Sequence, residues 1–130
     1  MSNLTLSVTI SGNSLDVSQA NNANQMGRGQ SGTITWQLTG NAASGTFNAI
    51  KTPSPGFAWI QQPPNGVFGQ PSLQNNNQWI QMTDNNNNPN GVNSAGEWIY
   101  QHFATVGGKQ YSTAVGNPSS AIKNPKIKNN

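Results

Sequence analysis

The sequence predicts an all-β protein, an antiparallel β-sandwich of about eight strands built as one domain over residues 1–130. Three observations predict it. Apolar and polar side chains alternate through several short segments, the period of a strand with one buried face. Clusters of Gly, Pro, Asn and Ser separate those segments. No helical spacing of apolar residues persists for three turns. A chain of 130 residues is one domain by length and can bury a core without disulfides. No linker divides it, and no internal repeat is visible.

The elements follow in order. Leu4, Leu6, Val8 and Ile10 point one way, with Thr5, Ser7 and Thr9 between them, as in a half-buried strand. Ser11-Gly12-Asn13 turns the chain into a short extended piece, Leu15-Asp16-Val17. Asn21 to Gln30 is polar and reads as a loop. Ile34, Trp36 and Leu38 form the inward side of the next strand, and Gly45 to Ile50 holds another. Pro53, Pro55, Pro63, Pro64 and Pro71 interrupt the middle, so Phe57–Ile60 and Val67-Phe68 are expected to be edges or loops, because proline cannot donate to a ladder. Gln78 to Thr83 alternates more cleanly. Asp84 to Gly91, with four Asn in a row, reads as a loop.

Glu97–Val106 and Lys109–Val115 flank Gly107-Gly108, a two-residue hairpin signal. That turn pairs Val106 with Lys109, Ala104 with Tyr111 and His102 with Thr113. Trp98, Tyr100, His102, Ala104 and Val106 share one face; Glu97, Ile99, Phe103 and Thr105 share the other. Both faces are partly apolar, so either could be inward. A last short strand is expected from Ala121 through Ile127.

Composition excludes several classes. With no Cys there is no disulfide and no thiolate zinc site, and with one His, His102, there is no histidine metal cluster. Asp16, Asp84 and Glu97, the three acids, lie far apart and form no calcium loop. No cofactor or metal is expected. The net charge of +3 reflects scarce acids rather than many bases. Lys123, Lys126 and Lys128 gather near the C-terminus while Arg28, Lys51 and Lys109 are scattered, so no nucleic acid partner is expected. No apolar run is long enough for a membrane helix, and no basic stretch plus apolar region opens the sequence. On that reading the chain is not a membrane protein and is cytoplasmic.

Trp79-Ile80-Gln81-Met82-Thr83-Asp84-Asn85, Gly96-Glu97-Trp98-Ile99-Tyr100, Gly108-Lys109-Gln110-Tyr111 and Asn124-Pro125-Lys126-Ile127-Lys128-Asn129 occur in an order that resembles the DP-EP family. These are small bacterial immunoglobulin-like sandwiches of undefined cellular role. The likeness runs from Trp79 onward; the preceding half agrees in strand pattern. The resemblance implies an immunoglobulin-like fold and self-processing, namely backbone cleavage at a terminal Asp-Pro bond and a lysine-to-aspartate crosslink. Asn124 stands where the family's Asp would be.

The residues around that bond define the candidate chemistry. Proline has no N–H, so attack on the Asn124 side chain by the following amide is blocked. The Asn124 amide nitrogen can instead attack its own carbonyl and expel Pro125. Asn is a poorer internal nucleophile than Asp, so cleavage is expected to be slower than at an Asp-Pro bond, or absent. A second route joins Lys109 to Asn124 with release of ammonia, assisted by a protonated acid. Asp84 or Glu97 would supply that acid, with Asp84 favoured because Glu97 projects to the face opposite Lys109. A lysine after a double-glycine turn is ordinarily solvated, an Asn-Pro at a strand edge is ordinarily structural, and an Asp before an Asn-rich loop, as Asp84 is, ordinarily caps that loop. Enzyme activity, on this reading, is at most autocatalytic.

The alternative is a carbohydrate- or protein-binding module. Trp36, Trp79 and Trp98 lie in alternating strands and are expected in the core. Trp59, in the proline-rich segment, is the best exposed candidate for stacking on a sugar. His102 is expected to be a satisfied sheet histidine rather than a base. A second copy of the chain is a further candidate partner.

Overall fold

The computed structural model describes residues 3–12, 14–18, 24–26, 31–50, 53–85, 95–113 and 125–129. The described residues are all-β apart from one 3-10 turn, Gly40–Ala42. One sheet has the order β2-β1-β4-β8-β7, made by β1 (Leu4–Ser11), β2 (Ser14–Val17), β4 (Gly32–Leu38), β7 (Ser72–Gln74) and β8 (Trp79–Asp84). A four-stranded sheet runs β3-β12-β9-β6, from β3 (Asn24–Met26), β6 (Ala58–Trp59), β9 (Gly96–Gln101) and β12 (Lys126–Asn129). A three-stranded sheet, β11-β10-β5, joins β5 (Thr46–Phe47), β10 (Phe103–Val106) and β11 (Lys109–Ser112). Residues 96–106 lead from the second of these sheets into the third, with His102 alone between β9 and β10.

The sandwich is mixed rather than antiparallel. β1 pairs with β4 in parallel, and β12 with β3 in parallel. Parallel neighbours need a crossover of a dozen or more residues. The chain supplies one: after the β1–β2 hairpin it crosses to the four-stranded sheet as β3 and returns as β4 beside β1. β3 therefore lies inside the segment expected to be loop. The extra strands beyond eight are mostly pieces of two or three residues.

Period-two alternation explains the core. Leu6 and Val8 of β1, Ile34, Trp36 and Leu38 of β4, and Ile80 and Met82 of β8 are buried together with Tyr100, Ala104 and Ile127 from the other strands. Trp36 is fully buried, as its strand predicts. Trp79 is only half-buried, because the alternation that turns Ile80 and Met82 inward turns it out. Trp98 is half-buried too. The hairpin has the expected register, Val106 opposite Lys109 and Ala104 opposite Tyr111. Gly107 and Gly108 both take positive φ, 59° and 80°, as a type I′ turn requires. The Thr113 amide donates to the His102 carbonyl at 3.1 Å, extending the pairing by one step. Tyr100, His102 and Ala104 supply the inward face. The last strand is Lys126–Asn129, later than expected, and residues 121–124 lie outside the described residues. No helix of the described residues is long and apolar enough to cross a membrane.

A candidate cleft and two buried titratable groups

The proline-rich middle forms a cleft on the surface. β6 pairs with β9, placing Trp59 opposite Tyr100, and the Ile60 and Gln61 amides both donate to the Ile99 carbonyl. The chain then turns at Pro64–Val67, where the Val67 amide donates to the Pro64 carbonyl at 3.3 Å and Gly66 takes a φ of 90°. It returns along the end of β8: the Gly69 amide donates to the Thr83 carbonyl at 2.9 Å and the Asn85 amide to the Val67 carbonyl at 2.7 Å. Between the two passes lies a cleft of about 450 Å³. Phe57, Trp59 and Phe68 supply its aromatic surface, and Gln62, Asn65 and Gln70 supply amides. No charged side chain of the described residues lines it.

The aromatic surface is the end of a column that begins in the core. Trp36 donates from Nε1 to the Tyr100 hydroxyl at 2.9 Å. Tyr100 stacks on Phe57 at 5.4 Å and 16°, Phe57 meets the edge of Trp59 at 5.0 Å and 90°, and Trp59 meets Phe68 at 4.8 Å. Each ring of the column is thus backed by another ring, which restricts the rotamers open to it. Burial pushes the Tyr100 hydroxyl far above its ordinary range, so it stays protonated.

His102 sits beside that column, fully buried, between β9 and β10. Trp36, Phe47, Phe57 and Tyr100 surround it at ring-centroid distances from 5.0 to 5.5 Å. Its Nδ1 lies 2.7 Å from the Gly56 carbonyl oxygen. A carbonyl only accepts, so the proton is on Nδ1 and Nε2 carries the lone pair. Nε2 has no partner. Desolvation lowers the pKa to about 4, against a smaller upward pull from the Gly56 carbonyl. Gly56 must be glycine for this contact, because a Cβ there would run into the Asn48 carbonyl. His102 is thus a buried sheet histidine with one nitrogen satisfied and four aromatic rings around it.

The candidate processing residues are placed as follows. Asp84, expected in a loop, is the last residue of β8 and fully buried, since it continues the inward series Ile80, Met82, Asp84. Asn129 Nδ2 donates to Asp84 Oδ1 at 3.1 Å across the two sheets. Asp84 Oδ2 and Asn129 Oδ1 have no partner. Desolvation raises the Asp84 pKa to about 7, opposed by the Asn129 hydrogen bond. Pro125 is buried and its carbonyl accepts from the Tyr100 amide at 3.1 Å. Glu97 is exposed and pairs with Lys126 at 3.5 Å. Lys109 is exposed on the hairpin, its ammonium 5.0 Å from the centre of the Tyr111 ring. Asn124 lies outside the described residues.

The fold therefore brings Asp84 to the carboxy-terminal strand and leaves Lys109 and Glu97 in water, each with its own neighbour. Asn129 is the site residue that sequence reasoning missed. Its signal was the alternation Ile127, Asn129, which puts a polar residue on a buried face. The cleft amides were missed for a different reason: no periodicity runs through the proline-rich segment. No group of three or more His, Cys, Asp or Glu able to hold a metal occurs among the described residues. No protein-family model matches the chain, and no curated protein matches it.

Proposed function

We propose that the protein is a binding module whose cleft takes an uncharged carbohydrate. The observation that carries this reading is the cleft itself, where aromatic rings meet carboxamides and no described charge. A sugar ring offers apolar C–H faces that pack on aromatic rings and hydroxyls that both donate and accept. Gln62, Asn65 and Gln70 do both in return. Its volume lies within the range of small-molecule sites, roughly 300–1,000 Å³. An ionised ligand would find no described counter-charge there. A glycan array followed by titration calorimetry tests the reading. A neutral oligosaccharide is expected to bind, and Trp59→Ala is expected to weaken it by about tenfold or more. Gln70→Ala, on an exposed residue, should weaken binding without disturbing the fold. If no neutral glycan binds, or both variants bind as the wild type does, the reading fails.

The second reading is self-processing at the carboxy-terminal strand, in the manner the DP-EP likeness implies. One observation favours it: a buried carboxyl, Asp84, held against that strand by Asn129. On this reading Asn124-Pro125 is the bond cleaved, or Asn124 the residue crosslinked by Lys109, with Asp84 rather than the solvated Glu97 as the acid. Intact-mass spectrometry separates the outcomes. Two fragments mean scission, loss of one ammonia means crosslinking, and an unchanged mass removes both.

A further inference from the structure

The Asp84–Asn129 contact has an unusual balance of donors and acceptors. One N–H···O bond joins the pair, and the two remaining oxygens, Asp84 Oδ2 and Asn129 Oδ1, are both buried and both without a donor. Two buried, unpaired acceptors on residues already bonded to each other leave the pair short of one proton. A carboxylic acid supplies it: the acid O–H donates to the amide oxygen while the amide N–H donates to the acid carbonyl. The two groups then close a ring of two hydrogen bonds.

We propose that Asp84 and Asn129 form a protonated acid–amide clasp between β8 and β12, and that loss of its proton loosens the carboxy-terminal strand and the adjoining cleft wall. The clasp stands where several segments converge. Asp84 pairs with Gly32 of β4 and bridges Phe68, a cleft residue. Asn129 pairs with Gly96 of β9 and Met26 of β3. The next residue, Asn85, fastens the wall twice, from its amide to Val67 and from its side chain to the Gly66 carbonyl at 3.3 Å.

None of these segments brings a described counter-charge to the carboxyl. β4 offers Gly32 and the cleft wall offers Val67 and Phe68, none of which titrates. On β12 the buried positions are Ile127 and Asn129, while Lys126 and Lys128 alternate to the other face. On β9 the partner of Asn129 is Gly96, and Glu97 is exposed and paired with Lys126. An ionised Asp84 would therefore be a buried carboxylate holding one amide hydrogen bond. The sign follows from linkage. The acid binds its proton more tightly when the clasp is closed than when β12 has opened to water. Opening thus becomes easier as pH rises through the range between an ordinary carboxylate and neutrality, and levels off above it.

Two measurements on the full chain test the proposal. In a carbon-detected NMR titration, the Asp84 carboxyl should titrate near neutrality; a midpoint in the ordinary carboxylate range overturns the clasp. In hydrogen exchange, corrected for the intrinsic pH dependence of amides, protection of residues 126–129 and 67–69 should fall by about tenfold per pH unit between about pH 5 and 7, while β4 is unaffected. Asp84→Asn replaces the acid O–H with an amide N–H and keeps both hydrogen bonds at every pH, so it should abolish this dependence. Protection that does not change with pH, or the same dependence in Asp84→Asn, overturns the proposal. Any effect on ligand affinity rests on the carbohydrate reading of the cleft. The exchange and NMR results need no ligand, so the clasp and the cleft can fail separately.

Discussion

His102 and Asp84 are both fully buried, and neither has a charged partner among the described residues, yet the protein treats them in opposite ways. His102 is walled in by four aromatic rings and bonded to one backbone carbonyl. Asp84 faces a side-chain amide that both donates and accepts. Burial disfavours charge in each case, which pushes the base down to about 4 and the acid up to about 7. Between those values both groups are neutral. Their surroundings differ in what they do with a proton. The aromatic cage has no acceptor for a second N–H on His102, whereas the amide of Asn129 has a free oxygen for an O–H on Asp84. One site excludes a proton; the other needs one.

The largest test of this contrast removes a wall of the cage. Trp36→Ala deletes a fully buried indole and leaves the Tyr100 hydroxyl without its donor. A loss of about 4 kcal/mol is expected in urea unfolding. The His102 pKa should rise toward its ordinary value as water enters, while the Asp84 carboxyl, bonded elsewhere, keeps its titration. Equal movement of both groups would mean that the two sites are one.

The two groups also oppose each other in the pH dependence of stability. The folded state holds a proton on Asp84 that the unfolded state has released above about pH 4, so this residue makes stability fall from about pH 4 to about pH 7. The folded state refuses a proton on His102 that the unfolded state binds below 6.5, so this residue makes stability rise from about pH 4 to 6.5. Over the shared interval the terms cancel, and the wild type should show a plateau. Removing either residue exposes the other. His102→Leu should lose roughly 4 kcal/mol between pH 4 and 7, and Asp84→Asn should gain roughly 3 kcal/mol between pH 4 and 6.5, as upper bounds. Urea midpoints at half-unit pH intervals check both slopes. Slopes of the same sign in the two variants would contradict the assignment.

How far the sequence foretold these two sites depends on the range of the interactions that build them. β1, β4 and the Gly107-Gly108 hairpin were legible because their signals are local: alternation sets the face and the turn sets the register. The inward position of His102 needed one non-local fact. Both faces of its hairpin are partly apolar, and only the packing of Trp36, 66 positions earlier in the chain, decides between them. Asp84 was misplaced because its identity outweighed its parity: an acid before an Asn run reads as a loop, although Ile80 and Met82 continue inward to it. Its partner was further out of reach. Asn129 lies 45 residues away on a strand of another sheet, and nothing local marks that pairing. β3 was hidden for the same reason, since its polar residues join a strand through a parallel partner at the far end of the chain. The cleft was half legible. Proline predicted irregular backbone and marked Trp59, but which amides would surround it depended on how the wall is fastened to β8.

The smallest expected effect comes from the pair that resembles a stabilising interaction most on paper. Glu97 and Lys126 join β9 to β12, the same strand that the clasp holds, at 3.5 Å. Their side chains are 49% and 28% exposed, so water already solvates both charges and holding two long side chains together offsets most of the attraction. Glu97→Gln should therefore shift stability by about 0.5 kcal/mol or less, and molar salt should erase even that difference. The Asp84 titration, buried from solvent ions, should be nearly unchanged by the same salt. A Glu97→Gln loss as large as that of a core substitution would show that β12 is held by surface charge, and the clasp would then have little left to fasten.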